Sequence, residues 1–368
     1  LIVTGCLSQR YPDELTANIK EIDGIFGTSS FTDIPDRIET LFSGEKIKEV
    51  KQTPKFLYSH RDKRKILTPL HSVYLKIQEG CSNKCSYCVI PDLKGPRRSR
   101  STESILEEVK ELRTQHDIKE LVVIGQDITS FGIDRGGKPE LAALLKEASP
   151  IMKDRWIRLL YTHPAHFTDE LIEVIANTEN ICKYVDLPVQ HVNDTILRKM
   201  NRRVTKSEMV DLIGRIRDRI KDVTLRTSVI VGFPGETDKE FGELMDFLEQ
   251  IKFERLGAFI YSREDGTPAA GFEGQVPEKT KKARFDKVMK LQQGISTENN
   301  MRSFGKTLKV LIDEEDPSGK GQYLGRSGMD APEVDGLIYV KGDGLKPGDF
   351  VDVRITGTME YDLIGETL

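Results

Sequence analysis

Apolar and polar positions follow two different rhythms along the 368 residues. From about residue 72 to residue 300, short apolar runs alternate with longer segments of helical period. The runs at 73–77, 121–124, 156–161, 184–187, 225–231 and 256–261 predict six strands. The segments between them predict helices at 101–116, 140–148, 168–176, 193–200, 205–220 and 238–251, and a long polar helix follows at 277–300. In the first of these helices Ile105, Leu106, Val109 and Leu112 share a face, and Ser104 with Glu107 has the spacing of a capping box. Strands alternating with helices predict a parallel sheet. No GxGxxG follows the first strand, which argues against a dinucleotide fold and for a barrel or partial barrel.

The flanks read differently. Residues 1–50 predict part of an α/β unit, with strands at 1–4 and 25–27 and helices at 12–22 and 34–42. Residues 51–68 are polar and basic (Lys51, Lys55, Arg61, Lys63, Arg64, Lys65), contain Pro54 and lack an apolar period, as a linker does. After residue 304 short alternating strands are expected at 307–312, 336–341 and 350–355, with turns at 316–319, 342–344 and 346–349. This is the pattern of a small all-β barrel. The expected division is therefore 1–50, a linker at 51–68, an α/β core at 69–300 and a β barrel at 301–368.

Composition narrows the class. Apolar residues make 38% of the chain and charged residues 31%, a globular balance with no apolar run long enough to span a membrane. The chain opens at Leu1 inside a predicted strand, so its N-terminus is expected to lie upstream. Net charge is −4, without an overall basic signature for nucleic acid. Met301 to Leu368 hold eight Lys/Arg against thirteen Asp/Glu, a balance of −5, which leaves +1 for the rest. The five cysteines are odd in number and clustered, which fits a reducing cytoplasm rather than a disulfide framework.

Cys81, Cys85 and Cys88 fall within Gly80-Cys-Ser-Asn-Lys-Cys-Ser-Tyr-Cys88, directly after the first strand of the repeat. A structural zinc closes its tetrahedron with four protein ligands, and here there are three. Cys182 sits beside a predicted core strand and reads as a buried thiol, while His60 and His71 lack ligand spacing. A [4Fe–4S] cluster on three thiolates leaves one iron open. Polar or glycine-rich residues follow every later strand: Gly125-Gln126-Asp127, Thr162-His163-Pro164, Gln190-His191, Gly232 to Glu236, and Ser262-Arg263-Glu264. They gather at the end of the barrel where active sites are built. A non-catalytic metal-binding nucleic-acid module is the alternative of another class, and it predicts one zinc and no iron.

The C-x3-C-x2-C spacing, with Tyr87 before the last cysteine, resembles the radical S-adenosylmethionine (SAM) superfamily. The resemblance implies a partial (βα)6 barrel and a [4Fe–4S] cluster on Cys81, Cys85 and Cys88, whose open iron binds SAM and whose electron yields a 5′-deoxyadenosyl radical. It implies that the Tyr87 backbone approaches the adenine and that Gln126 contacts the SAM amino group. Residues 229–236, with Gly232, Phe233, Pro234 and Gly235, resemble the GxIxGxPxE segment of the superfamily, although Thr227 stands where the first Gly is often found.

Three further stretches resemble the methylthiotransferases. Residues 3–11 look like the end of their N-terminal domain, in which three cysteines hold a second [4Fe–4S] cluster. Cys6 would be one of them, its two partners lying outside this sequence. The C-terminal barrel resembles a TRAM domain. Residues 186–191, 259–267 and 330–336 (Asp-Ala-Pro-Glu-Val-Asp-Gly) are similar to the branch that modifies an aspartate of a small-subunit ribosomal protein, the RimO family. The acidic C-terminal module favours such a basic protein partner over direct binding of nucleic acid. A tRNA adenosine methylthiotransferase is the alternative. The implied chemistry uses one SAM to methylate a sulfur species on the second cluster. It uses another, with an electron donor, to take hydrogen from the aspartate β-carbon. Arg97, Arg98, Arg100, His163 and His191 receive no assigned role.

Overall fold

Residues of a parallel strand point alternately to two faces, so a strand layer covered by helices on one side must fill its other side differently. The computed structural model describes every residue except Lys63, Ser318 and Lys320. It opens with a three-stranded parallel sheet of β1 (Ile2–Thr4), β2 (Gly24–Phe26) and β3 (Ile47–Glu49), with the helix Ile34–Phe42 between the last two. β3 was not expected, because three residues are too few to show a period. The helix expected at 12–22 spans Pro12–Asn18, and a short unexpected helix, Cys6–Arg10, precedes it. The described residues of 51–68 contain neither helix nor strand, and Lys63 of the expected linker lies outside them.

The α/β core begins at β4 (Ser72–Lys76), followed by a small antiparallel pair, β5 (Gln78–Glu79) and β6 (Arg98–Ser99). Then come β7 (Glu120–Ile124), β8 (Trp156–Leu159), β9 (Tyr184–Asp186), β10 (Thr224–Val231) and β11 (Arg255–Ile260). β4-β7-β8 and β9-β10-β11 are parallel ladders. A single parallel bridge, Ile157 to Ile181, joins them. Six strands thus run side by side in chain order, the expected partial (βα)6 barrel. Val73, Leu75, Leu121, Val123, Ile157, Leu159, Val185 and Leu225 pack outward in the main core under the helices.

One expected cap is corrected. The helix Thr102–His116 starts at Ser101, whose side chain accepts from the Ser104 N–H at 3.2 Å. Ser104 is not the cap. Its hydroxyl takes the His60 N–H at 3.1 Å and Arg100 Nη2 at 3.2 Å.

The C-terminal unit is a closed barrel in the order β12-β13-β14-β16-β15. Its strands are β12 (Thr307–Glu315), β13 (Gln322–Ser327), β14 (Ile338–Lys341), β15 (Phe350–Thr358) and β16 (Leu363–Thr367). Val310, Ile312, Ile338, Val340, Val353 and Ile355 fill it. The turn expected at 316–319 includes Ser318, outside the described residues. β13 and β16 were not expected, since glycines interrupt their pattern. These glycines serve packing: a Cβ at Gly325 would meet Leu311 O at 2.7 Å, and one at Gly365 would meet Val353 Cγ1 at 2.4 Å.

This barrel docks on the N-terminal ends of the core strands through buried charge. Glu120 and Arg158 are fully buried, with Arg158 Nε 2.7 Å from Glu120 Oε1. Arg326 of β13 reaches Glu120 Oε2 at 2.9 Å and Asp313 at 2.7 Å. Arg158 also donates to the carbonyls of Ser327 and Gly328. Arg255 pairs with Asp330 at 2.6 Å, and the Tyr184 hydroxyl donates to Asp335 at 2.6 Å. Asp330 and Asp335 are thus turned inward, so two of the module's thirteen acidic residues serve its docking. Burial alone would raise the Glu120 carboxyl, but Arg158 and Arg326 overcome it and hold it at about 2.

Glu120→Ala would leave the buried Arg158 without a carboxylate and Arg326 with Asp313 alone, and a loss of about 3–5 kcal/mol is expected from denaturant unfolding. The Glu120 pKa lies below its ordinary 4.5, so its contribution is complete above that pH and is lost as pH falls towards about 2. Trp156, the single tryptophan, packs edge-on against Phe350 of the barrel at 4.8 Å and reports docking. Its fluorescence should change within that acid window. A transition complete above about pH 5 would assign docking to another group.

Candidate active site

The cysteine loop folds back on itself at Gly80, with φ +77°. A Cβ there would meet Pro96 O at 2.3 Å and Gly95 O at 2.5 Å, so glycine alone fits. Hydrogen bonds then pin the loop on several sides. The Cys81 N–H donates to Gly95 O at 3.2 Å, and the Ser86 N–H donates to Met200 O at 3.0 Å. Asn201 Nδ2 donates to Lys84 O at 2.8 Å, and Asn83 Nδ2 to Asp127 Oδ2 at 2.8 Å. All three loop cysteines line one cavity of about 410 Å³. Its remaining wall includes Tyr87, Gln126 beyond β7, Tyr161, Thr162 and His163 beyond β8, Pro188 and Gln190 beyond β9, and Arg202. The polar ends of β7, β8 and β9 therefore converge on the cysteines, whereas residues 232–236 and 262–264, expected there too, do not line the cavity.

Donor chemistry fits a cluster better than a single ion. Tetrahedral zinc holds thiolates about 3.8 Å apart, as its bond length of about 2.3 Å requires. Among the described residues, the ligand group whose atoms all lie within 4.8 Å of one another is Asp127, His163 and His166, not the three thiols. At least one pair of the thiols is therefore further apart than a shared zinc allows, whereas thiolates on separate irons need not converge. Burial pushes the Cys81 thiol up to about 11 and raises Cys88 as well, so metal must displace these protons. Two buried atoms on the cavity wall lack a partner among the described residues, Gln126 Oε1 and Arg202 Nε. The Gln126 amide nitrogen is fixed by Glu79 Oε1 at 2.9 Å, and Arg202 Nη2 by Pro188 O at 2.6 Å. One acceptor and one cation are thus left for a zwitterion.

The Radical SAM superfamily profile matches residues 75–248, and the TRAM domain profile matches 304–368. The ribosomal protein uS12 methylthiotransferase RimO of Pelotomaculum thermopropionicum is 46% identical over all of this chain and 83% of its own length. The RimO proteins of Desulfitobacterium hafniense and Clostridioides difficile are each 47% identical, again over all of this chain and 82% of theirs. The chain belongs to the RimO family.

Within this RimO-family chain, the remaining residues singled out in the sequence lie off the cavity wall. Phe233 is fully buried, 6.4 Å from the Tyr87 ring and 5.3 Å from Tyr261. Gly232, Pro234 and Gly235 flank it and do not line the cavity. Glu236 accepts the Gly232 N–H at 2.9 Å and pairs with Arg284 at 2.8 Å, while burial pushes its carboxyl up to about 7. His191 is buried 3.6 Å from Glu236 and held neutral by burial, its pKa near 3. The basic run is used internally: Arg100 pairs with Glu108 at 2.6 Å, and Arg98 donates to Lys94 O and Pro96 O. Cys182 is buried. Cys6 is exposed on its short helix, away from the cavity wall. Arg202, Asn83 and Tyr161 carry the cavity without having been assigned there from sequence. No motif or spacing in the sequence marks any of the three for the cavity.

Gly232 has φ +74°, and a Cβ on it would meet Lys281 Cγ at 2.3 Å. Lys281 is fixed by Tyr261 O at 3.0 Å and Glu278 at 2.6 Å. Gly232→Ala is expected to destabilise by about 2 kcal/mol, from the left-handed backbone and the displaced lysine, read from denaturant unfolding.

Proposed function

We propose that this protein is a radical SAM methylthiotransferase that adds a methylthio group to the β-carbon of an aspartate in ribosomal protein uS12. The observation that carries the reading is the convergence of Cys81, Cys85 and Cys88 on one cavity at the strand ends, in a chain of the RimO family. When bound, a [4Fe–4S] cluster on these thiolates supplies the electron that cleaves SAM to a 5′-deoxyadenosyl radical able to take hydrogen from unactivated carbon. An electron donor is needed to supply it.

The chain's own groups have definite tasks in this scheme. Gln126 Oε1 is the acceptor available to the SAM ammonium, and Arg202 is the cation available to its carboxylate. Tyr87, backed by Phe233 on the turn Gly232-Phe233-Pro234-Gly235, forms the apolar wall for the adenine side. Cys6 is assigned to a second [4Fe–4S] cluster, with two ligands from residues outside these 368. We further propose the division 1–50, 51–68, 69–300 and 301–368, and a cytoplasmic location. No described helix is long and apolar enough to cross a membrane.

Anaerobic reconstitution of the parent and of Cys81→Ala tests the site. The variant is expected to lose about four irons with the matching sulfide, since two thiolates do not hold a cubane. Iron unchanged in the variant, or zinc in its place, would sink the reading. Mass spectrometry of uS12 and of tRNA after turnover should find the methylthio group on the protein alone.

A further inference from the structure

Three non-glycine residues around the cavity have left-handed backbones: Lys84 at φ 52°, Tyr161 at 63° and Gln190 at 65°. For a bulky aromatic this conformation is a true outlier, held only where the surroundings over-determine it. The surroundings do so at Tyr161. Its N–H donates to Asp186 Oδ2 at 2.8 Å, and its carbonyl accepts the Ile128 N–H at 3.0 Å. The next residue is tied to the same aspartate, with the Thr162 N–H and hydroxyl both donating to Asp186 O. Asp186 is itself buried and fixed by Arg226 Nη1 at 2.8 Å.

All this restraint acts on the backbone. The residue is left 48% exposed while lining the cavity with the three cysteines. Among the described residues its hydroxyl makes no hydrogen bond. A strained, pinned backbone that aims a free aromatic ring at the rim of a site has no use for packing of the core. Gln126 Oε1 and Arg202 Nε are buried on the wall, whereas the Tyr161 ring meets what enters from outside. A rigid aromatic at a rim also loses little entropy when it anchors a polypeptide.

We propose that Tyr161 is a substrate-binding residue whose ring packs on the acceptor segment of the protein substrate and sets the aspartate β-carbon over the cavity. The inference rests on the function proposed above and assigns its polypeptide contact.

The test compares the intact parent with Tyr161→Gly and Tyr161→Phe. Glycine removes the ring and relaxes the left-handed backbone together. Tyr161→Gly is expected to melt at the parent temperature or higher and to retain its iron. Its kcat/KM for uS12 should fall about tenfold, mainly through KM. More 5′-deoxyadenosine should also be released per methylthio group transferred. Tyr161→Phe, which keeps the ring, should stay within about threefold of the parent. Parent-like KM and coupling in Tyr161→Gly would overturn the proposal. So would a lower melting temperature with parallel loss of iron, which is the signature of a structural residue. A parent that takes up no iron and makes no product would remove the function itself, and this inference with it.

Discussion

A fully buried carboxylate between two arginines decides which end of this molecule can do chemistry. Glu120 starts β7, Arg158 lies on β8, and Arg326 comes from the C-terminal barrel. Each charge would be costly alone, and together with Asp313 they satisfy one another. The consequence is geometric. The N-terminal ends of the strands are filled by the docked barrel, with Asp330 on Arg255 and Asp335 on Tyr184. The opposite ends carry the cavity at which the cysteine loop meets the turns after β7, β8 and β9. The two sets of residues also lie on the same strands. Asp186 at the end of β9 takes both Arg226, which faces Asp335 at 3.5 Å, and the Tyr161 N–H at the cavity.

Much of this architecture was legible because the strands of the core are buried on the helix side, which leaves a clear apolar run at each. Legibility fails where the chain satisfies its packing with backbone rather than side chains. β13 and β16 pass Gly325 and Gly365 close to neighbouring strands, and those contacts erase the alternation that marks a strand. β3 is three residues long and is held by its pairing with β2. Ser104 misled for a related reason: its sequence context is that of a cap, but His60 and Arg100 arrive from elsewhere and claim the hydroxyl.

The site divides in the same way. The cysteine spacing and Gln126 were readable because they are tied to the ends of predicted strands. Gly232 to Gly235 were readable as a motif, yet they act from beneath, through Phe233 against Tyr87. Asn83, which ties the cysteine loop to Asp127, depends on a contact between residues 44 positions apart. Tyr161 depends on a backbone dihedral that an aromatic residue rarely takes, and no local signal in Leu160-Tyr161-Thr162 announces it. Residues that act through strain are the ones composition hides best, because propensity argues against them.

Electrostatics gives the last step. The C-terminal module carries −5, but Asp313, Asp330 and Asp335 are committed to arginines or a tyrosine at the interface, and so is Arg326 on the basic side. The rest of the module carries −3. In the proposed complex that surplus would favour a basic protein over phosphate backbones, which repel it. A spread surface charge steers encounter and is screened within about 8–10 Å at physiological salt, whereas a seated acidic segment would fix the register of the complex. With Asp330 and Asp335 turned inward, register in the proposed complex comes from contacts at the cavity itself, such as the Tyr161 ring on its pinned backbone.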